Sequence, residues 1–269
     1  YPVRGRSCST EAMPFVSRKF GSYASFARAT MPQIYTSKCL AEAYRVEAKT
    51  LESGILLNDG AGHFSFRPLP RIAQIAPIFG IVAKDLDNDG HIDLTVAQNF
   101  FSPQPETGHM DGGLGQFLKG LGNGKFIPLA PKESGIAVKG DARSLTAIDL
   151  DDNGRLDLVF ARNDTAPEIY LHNPNDLGNK VKRSLKILLK GSKGNPTGIG
   201  SQITLHVQGG NNQSAEIHAG SGYLTQTPAQ IYFGLGNEEV ATIQVRWPSG
   251  NTSTTKVLKG TSEIIISSP

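Results

Sequence analysis

The chain has 269 residues, of which 38% are hydrophobic and 7% aromatic, with 30 Gly and 16 Pro. That is enough apolar material for one large or two modest cores, and it excludes disorder and collagen. The 27 Lys+Arg against 24 Asp+Glu give a net charge of +3, which divides into −2 over residues 1–178 and +5 over residues 179–269. No apolar run reaches the roughly 18 residues of a membrane span, and the opening YPVRGRSC has no signal-peptide pattern. The start without Met reads as the C-terminal portion of a longer chain. Cys8 and Cys39 are too few for a disulfide scaffold and leave one optional bridge open.

In chain order, residues 1–54 form an N-terminal segment that is partly helical, an insertion or the remnant of a repeat. Helix-compatible stretches run over Ser22 to Thr30 and Lys38 to Lys49, the first bounded by Pro32. Residues 55–178 are repetitive. IVAKDLDNDGHIDLTVAQN, from Ile81 to Asn99, matches LTAIDLDDNGRLDLVFARN, from Leu145 to Asn163, at an offset of 64. Gly60, Gly62 and Phe64 match Gly122, Gly124 and Phe126 at an offset of 62. Self-similarity at this period signals stacked supersecondary units.

Within each unit the pattern is β. Ile92, Leu94 and Val96 alternate with Asp93, Thr95 and Ala97, and Leu156, Leu158 and Phe160 repeat the alternation. Further strands are expected at Gln116 to Lys119, at Lys125 to Leu129 and at Glu168 to His172. Four short strands joined by Gly turns describe a propeller blade. The first unit carries an insertion within FSPQPETGHMDGG, a candidate binding loop on one face of the array. The second lacks its fourth strand, which in a closed ring the start of a longer chain would supply.

Beyond a boundary in Pro174 to Asn179, residues 179–269 change character. Seven alternating runs, near 184–190, 201–208, 213–219, 229–234, 240–247, 252–258 and 262–267, read as a β-sandwich. Six of the nine bases of this part lie between Lys180 and Lys193. A cluster of that size can attract polyanions, but Leu185, Ile187 and Leu189 alternate with Lys186 and Lys190, so the solvated face of a strand is the favoured reading. The fold class is therefore all-β: a partial propeller, then a sandwich-like domain, behind a partly helical N-terminal segment.

The strongest chemical signal is D-x-D-x-[DN]-G-x-x-D, present twice. Hard divalent cations such as calcium take six to eight oxygens, and carboxylates at alternate positions of a tight loop converge on one centre. Asp85, Asp87, Asp89 and Asp93 supply side chains and His91 its backbone carbonyl. In the second copy the set is Asp149, Asp151, Asn153, the carbonyl of Arg155, and Asp157. Gly90 and Gly154 permit the turn. An EF-hand shares the opening spacing, but its twelfth position falls on Val96 and Phe160 within strand-like alternation. Because Asn153 removes one charge, the second loop is expected to hold calcium more weakly than the first. The ions are expected to act structurally.

Catalytic signals are few, and a pair of Asp or Glu carboxylates converging for glycoside chemistry stays open. The histidines at 63, 91, 109, 172, 206 and 218 make no paired metal spacing, GLGNGKF does not match a phosphate loop, and Ser221 lies in GSGY rather than a nucleophile elbow. For Trp247 and Tyr223, core packing is the expectation.

The loops, with Phe79 and Gly80 ahead of the first, resemble the FG-GAP/VCBS repeats of integrin-like β-propellers. The tail resembles the ASPIC/UnbV domain of the cartilage acidic protein family and its bacterial relatives. The matching positions are Asn195, Gly198 and Gly200, Gly220 to Tyr223 with Gln226, Phe233 to Gly236, and Trp247 to Gly250. Ser201-Gln202 and Tyr232 depart from the family pattern, which usually has Ala-Arg and often His there. The resemblance implies an exported calcium-binding protein, secreted, periplasmic or on the cell surface, that binds a protein or glycan ligand and no nucleic acid. The alternative is a polysaccharide lyase or hydrolase on a propeller scaffold.

Overall fold

The computed structural model describes residues 3–105, 107–173, 182–208, 212–237 and 239–269. The expected boundary at Pro174 to Asn179 lies outside the described residues. The chain divides into two compact units, Tyr1–Leu51 and Glu52–Pro269.

The first unit holds five short helices: α1 (Arg6–Ala12), α2 (Phe15–Lys19), α3 (Tyr23–Ala27), α4 (Met31–Tyr35) and α5 (Ser37–Glu42). Val16, Phe26, Ala29 and Ile34 form its small core. Ser22 caps α3 by accepting from the Ser25 N–H at 3.2 Å. Pro32 opens α4 rather than bounding the helix before it, because a first-turn residue needs no intrahelical N–H partner. The expected helix from Lys38 to Lys49 is only α5. No residue of α5 is buried, and Tyr44 and Val46 beyond it are exposed, so helix propensity there lacks a packed face to hold it. Cys8 and Cys39 are not joined by a disulfide.

The second unit is built of β-sheets. A hairpin of β1 (Gly54–Asn58) and β2 (Phe64–Pro68) precedes an antiparallel sheet of β3 (Ile78–Lys84), β4 (Asp93–Gln98), β5 (Gln116–Gly120) and β6 (Phe126–Leu129), in that order. After a helical turn α6 (Pro131–Ser134), the second sheet runs β7 (Ala142–Ile148), β8 (Asp157–Arg162), β9 (Glu168–Tyr170). The 64-residue repeat is structural. Lys84 pairs with Asp93 and Ile148 with Asp157, and both first strands shift register at equivalent residues, Phe79 and Arg143. The bulged residues meet: the Arg143 guanidinium lies 4.1 Å from the centre of the Phe79 ring and 4.5 Å from that of Phe100.

Gly80 is what lets the two sheets approach. A Cβ there would stand 2.8 Å from the Leu145 backbone nitrogen. Leu145, Leu158, Phe160, Val82 and Leu86 join Tyr232 in one buried cluster. The inserted loop closes on itself through a Phe100–Met110 bridge and a clasp in which the Gly113 N–H donates to Asn99 Oδ1 at 2.8 Å.

The C-terminal strands are β10 (Arg183–Lys190), β11 (Gln202–Val207), β12 (Gln213–Glu216), β13 (Gln230–Gly236), β14 (Val240–Arg246), β15 (Thr252–Lys256) and β16 (Glu263–Ser267). They form two sheets, β13-β10-β16 and β12-β11-β14-β15, with β16 parallel to β10. Leu185, Ile187 and Leu189 of β10 point into a core shared with Ile203, Leu205, Ile243 and Val245 of the facing sheet. Lys186 and Lys190 alternate with them, so the basic cluster is carried on a strand whose apolar face is buried. None of the sheets closes into a barrel among the described residues.

Candidate metal centres

Each acidic loop links the first two strands of its sheet. Positive φ at Asn88 and Gly90, and at Asp152 and Gly154, turns the chain tightly enough to aim the flanking carboxylates inward. In the first loop Asp85 accepts from the Asp89 N–H at 3.0 Å and the Gly90 N–H at 2.8 Å. In the second, Asp149 accepts from the Asn153 and Gly154 N–H groups, both at 3.0 Å. The last Asp of each loop braces the turn from the far side. Asp93 accepts from Leu86 N–H at 3.0 Å and Gly120 N–H at 2.8 Å, and Asp157 from Leu150 N–H at 2.8 Å and His172 N–H at 2.7 Å.

Oxygen atoms of Asp85, Asp87 and Asp89 lie within 4.8 Å of one another, as do those of Asp149, Asp151 and Asp157. All-carboxylate clusters of this kind suit a hard cation. Asp93 stands outside the first group, whereas Asp157, which makes the equivalent backbone-amide contacts, belongs to the second. Asn153 accepts from Arg155 N–H at 2.9 Å and donates to Asp151 at 3.0 Å. His91 donates its N–H to Asp89 at 3.0 Å, and its ring lies against Gly122, where a Cβ would stand 2.5 Å from Nδ1. Arg155 does more than present a carbonyl. It is buried, and its guanidinium lies 3.3 Å from His172 Nε2 and donates to the Lys182 carbonyl at 3.2 Å.

The first loop is the more buried. Asp85, Asn88 and Asp93 are buried, whereas Asp151, Asp152 and Asn153 are exposed. Burial pushes Asp85 up to about 7, with the neighbouring Asp89, Asp93 and Asp87 adding to it against the Gly90 hydrogen bond. Burial likewise raises Asp93 to about 6. Two ammonium groups enter this loop from outside it. Lys119 of β5 bonds Asp87 and, at 2.6 Å, Asp89, and Lys182 lies 3.2 Å from Asp87 and 3.9 Å from Asp89. Burial acts to lower the Lys119 pKa, but its bonds to Asp87 and Asp89 outweigh that and raise it. At Asp89 the same contacts overcome burial and hold the carboxyl below its ordinary value.

Neither lysine was marked by the loop sequence, and neither was the C-terminal sheet that covers both loops. Gly234 of β13 lies directly on the first: a Cβ there would overlap Asp85 Oδ2 and stand 2.6 Å from Asn88 Cα. The Gly236 N–H donates to the Asn88 carbonyl at 3.0 Å. Against the second loop, the Tyr232 hydroxyl reaches Asp149 at 3.4 Å, and Ser184 donates to the Gly154 carbonyl. The FGLG motif is thus a docking strand, and Tyr232 ahead of it is one of its contacts. Trp247 is buried in the sandwich core, as expected. Tyr223 is not a core residue. It is 46% exposed, with its ring 5.6 Å from that of Phe79.

A β-sheet repeat array carrying acidic loops, with a seven-stranded sandwich seated on them, is the class of protein that fold and site define. Residues 191–269 match the family model described as ASPIC and UnbV. The chain is similar to cartilage acidic protein 1 of Xenopus tropicalis, 24% identical over 203 residues that cover 74% of this chain and 30% of that protein. It is similar also to cartilage acidic protein 1 of Homo sapiens, 21% identical over 207 residues covering 74% and 29%. The chain therefore spans less than a third of the length of these relatives. Among the described residues no helix is long and apolar enough to cross a membrane.

Proposed function

We propose that this chain is part of an exported calcium-binding protein that acts as a binding or adhesion module. Its two repeat sheets are read as FG-GAP/VCBS blades of a larger β-propeller, and its C-terminal strands as an ASPIC/UnbV domain fixed to them. The observation that carries this is the paired loop, which twice brings three carboxylates within 4.8 Å at the same turn of the same repeat. Like charges so close repel unless a cation or a donor compensates them. A bound calcium would supply that compensation and cross-link the turn, held in the second loop by Asp149, Asp151 and Asp157. Millimolar calcium outside the cytoplasm suits loops without the refinement of an EF-hand. The ligand is read as a protein or glycan of the cell surface or matrix.

Calorimetric calcium titration tests the reading, with Asp151→Ala as the control. Binding in the wild type that the variant loses is the expected result. A chelator should lower the melting temperature by about 5–10 °C relative to saturating calcium. A glycan and protein binding screen with and without chelator, run beside a polysaccharide depolymerisation assay, separates a binder from a lyase or hydrolase. Turnover would replace the binding reading with the enzymatic one.

A further inference from the structure

The two repeats differ at one position that the strand register identifies. Leu94 pairs with Leu118 and Leu158 with Tyr170, so Lys119 and Leu171 are equivalent. The next residues confirm the alignment: the Gly120 N–H donates to Asp93 and the His172 N–H to Asp157. Where the first repeat sends an ammonium onto Asp87 and Asp89, the second has an exposed leucine side chain. Lys182, at the entrance to β10, adds a second ammonium to the first loop only, while its carbonyl accepts from Arg155 of the second. In the second loop Lys186 lies 3.8 Å from Asp152, which is not among the three clustered carboxylates.

We propose that Lys119 and Lys182 are built-in counter-cations of the first loop, which is thereby locked by ion pairs instead of metal, and that calcium loads the second loop. The reason is local charge. An ammonium in contact with two carboxylates competes directly with an incoming divalent ion for the same oxygens. Its position on β5, and that of Lys182 beside β10, make the first loop a joint that binds a neighbouring strand and the C-terminal sheet in one ion-pair network. This reverses the order that the Asn153 substitution alone gives. Only the metal half of the proposal rests on the calcium reading above, since the ion-pair half needs no metal.

The test uses the 269-residue chain with two reciprocal variants, Lys119→Leu and Leu171→Lys. In calcium titrations the wild type should take up one ion, lost in Asp151→Ala and kept in Asp87→Ala. Lys119→Leu should raise calcium affinity at the first loop about tenfold or more, and Leu171→Lys, at an exposed position, should weaken the second by a similar factor. Two ions of equal affinity in the wild type, unchanged by Lys119→Leu, would overturn the metal half. In chelator, Lys119→Leu should lower the melting temperature by about 2–4 °C, and no change there would overturn the ion-pair half even if no variant binds calcium. If calcium binds nowhere while that loss persists, the lock stands and the calcium reading falls.

Discussion

The loops Asp85–Asp93 and Asp149–Asp157 are near-copies in sequence, turn geometry and internal hydrogen bonding, and yet they sit in opposite electrostatic settings. The first is buried beneath β13 and meets Lys119 and Lys182. The second opens to solvent, with Leu171 where the lysine would be. Within the loops the main change is Asn153 where the first has Asp89, and the larger difference lies outside them. A nine-residue acidic motif sets where the oxygens point, whereas the third strand of its own sheet and the domain packed above decide what charge they meet. The motif alone, through Asn153, ranks the second loop as the weaker metal site, the opposite of the order proposed from these surroundings.

The comparison can be broken hardest at the covering strand. Gly234→Ala places a methyl group on Asp85 and Asn88 and should cost about 2–3 kcal/mol in urea denaturation, with the second loop's calcium affinity altered far less. A loss below about 0.5 kcal/mol would mean that β13 does not press on the first loop.

A smaller effect lies in pH. Asp85 and Asp93 hold protons in the fold that they have released in the unfolded chain above pH 4, because their pKa values are raised from 3.8 to about 7 and about 6. Their contribution to the stability of the calcium-free protein is therefore greatest below pH 4 and declines as pH rises to 7. Measured as the difference between wild type and Asp85→Asn, melting temperatures between pH 4.5 and 7.5 should diverge by about 3–6 °C, with the wild type losing more. Parallel curves would place Asp85 in a far wetter site than the structure gives it.

The smallest expected change is at Tyr232. Its hydroxyl makes a long contact with Asp149 at 3.4 Å, so Tyr232→Phe should cost about 0.5–1 kcal/mol. A larger loss would show the C-terminal sheet gripping both loops equally.

Much of the architecture was legible because it rests on local pattern. The alternation at 92–97 and 156–160 and the seven runs of the C-terminal part all lead into strands, with Ile92 and Leu156 just ahead of theirs, although β4 turns out buried on both faces. The clustered carboxylates were equally legible, because the turn that aims them is encoded in Asp-x-Asp spacing and a glycine. Lys119, Lys182 and Gly234 were not, as each reaches the loop from 26 or more positions along the chain. The repeat hides the difference: matching Phe117 and Leu118 to Tyr170 and Leu171 sets Lys119 against His172, and only the strand register sets it against Leu171. The failed helix beyond Glu42 has the opposite cause, a favourable local sequence with nothing to pack against. Tyr223 departs from the expected core packing for a similar reason: it sits in a Gly-rich turn outside any strand and rests half exposed beside Phe79.

The place of β10 in its sheet bears on how the molecule can be dissected. The family match begins at residue 191, one residue after β10 ends, yet β10 is the middle strand joining β13 to β16 and carries Leu185, Ile187 and Leu189. A fragment expressed from the match boundary would leave two orphaned edges and an open hydrophobic seam, inviting self-association. A soluble excised domain has to start ahead of Arg183, and it would then carry bare the surface of β13 that normally rests on Asp85 and Asn88.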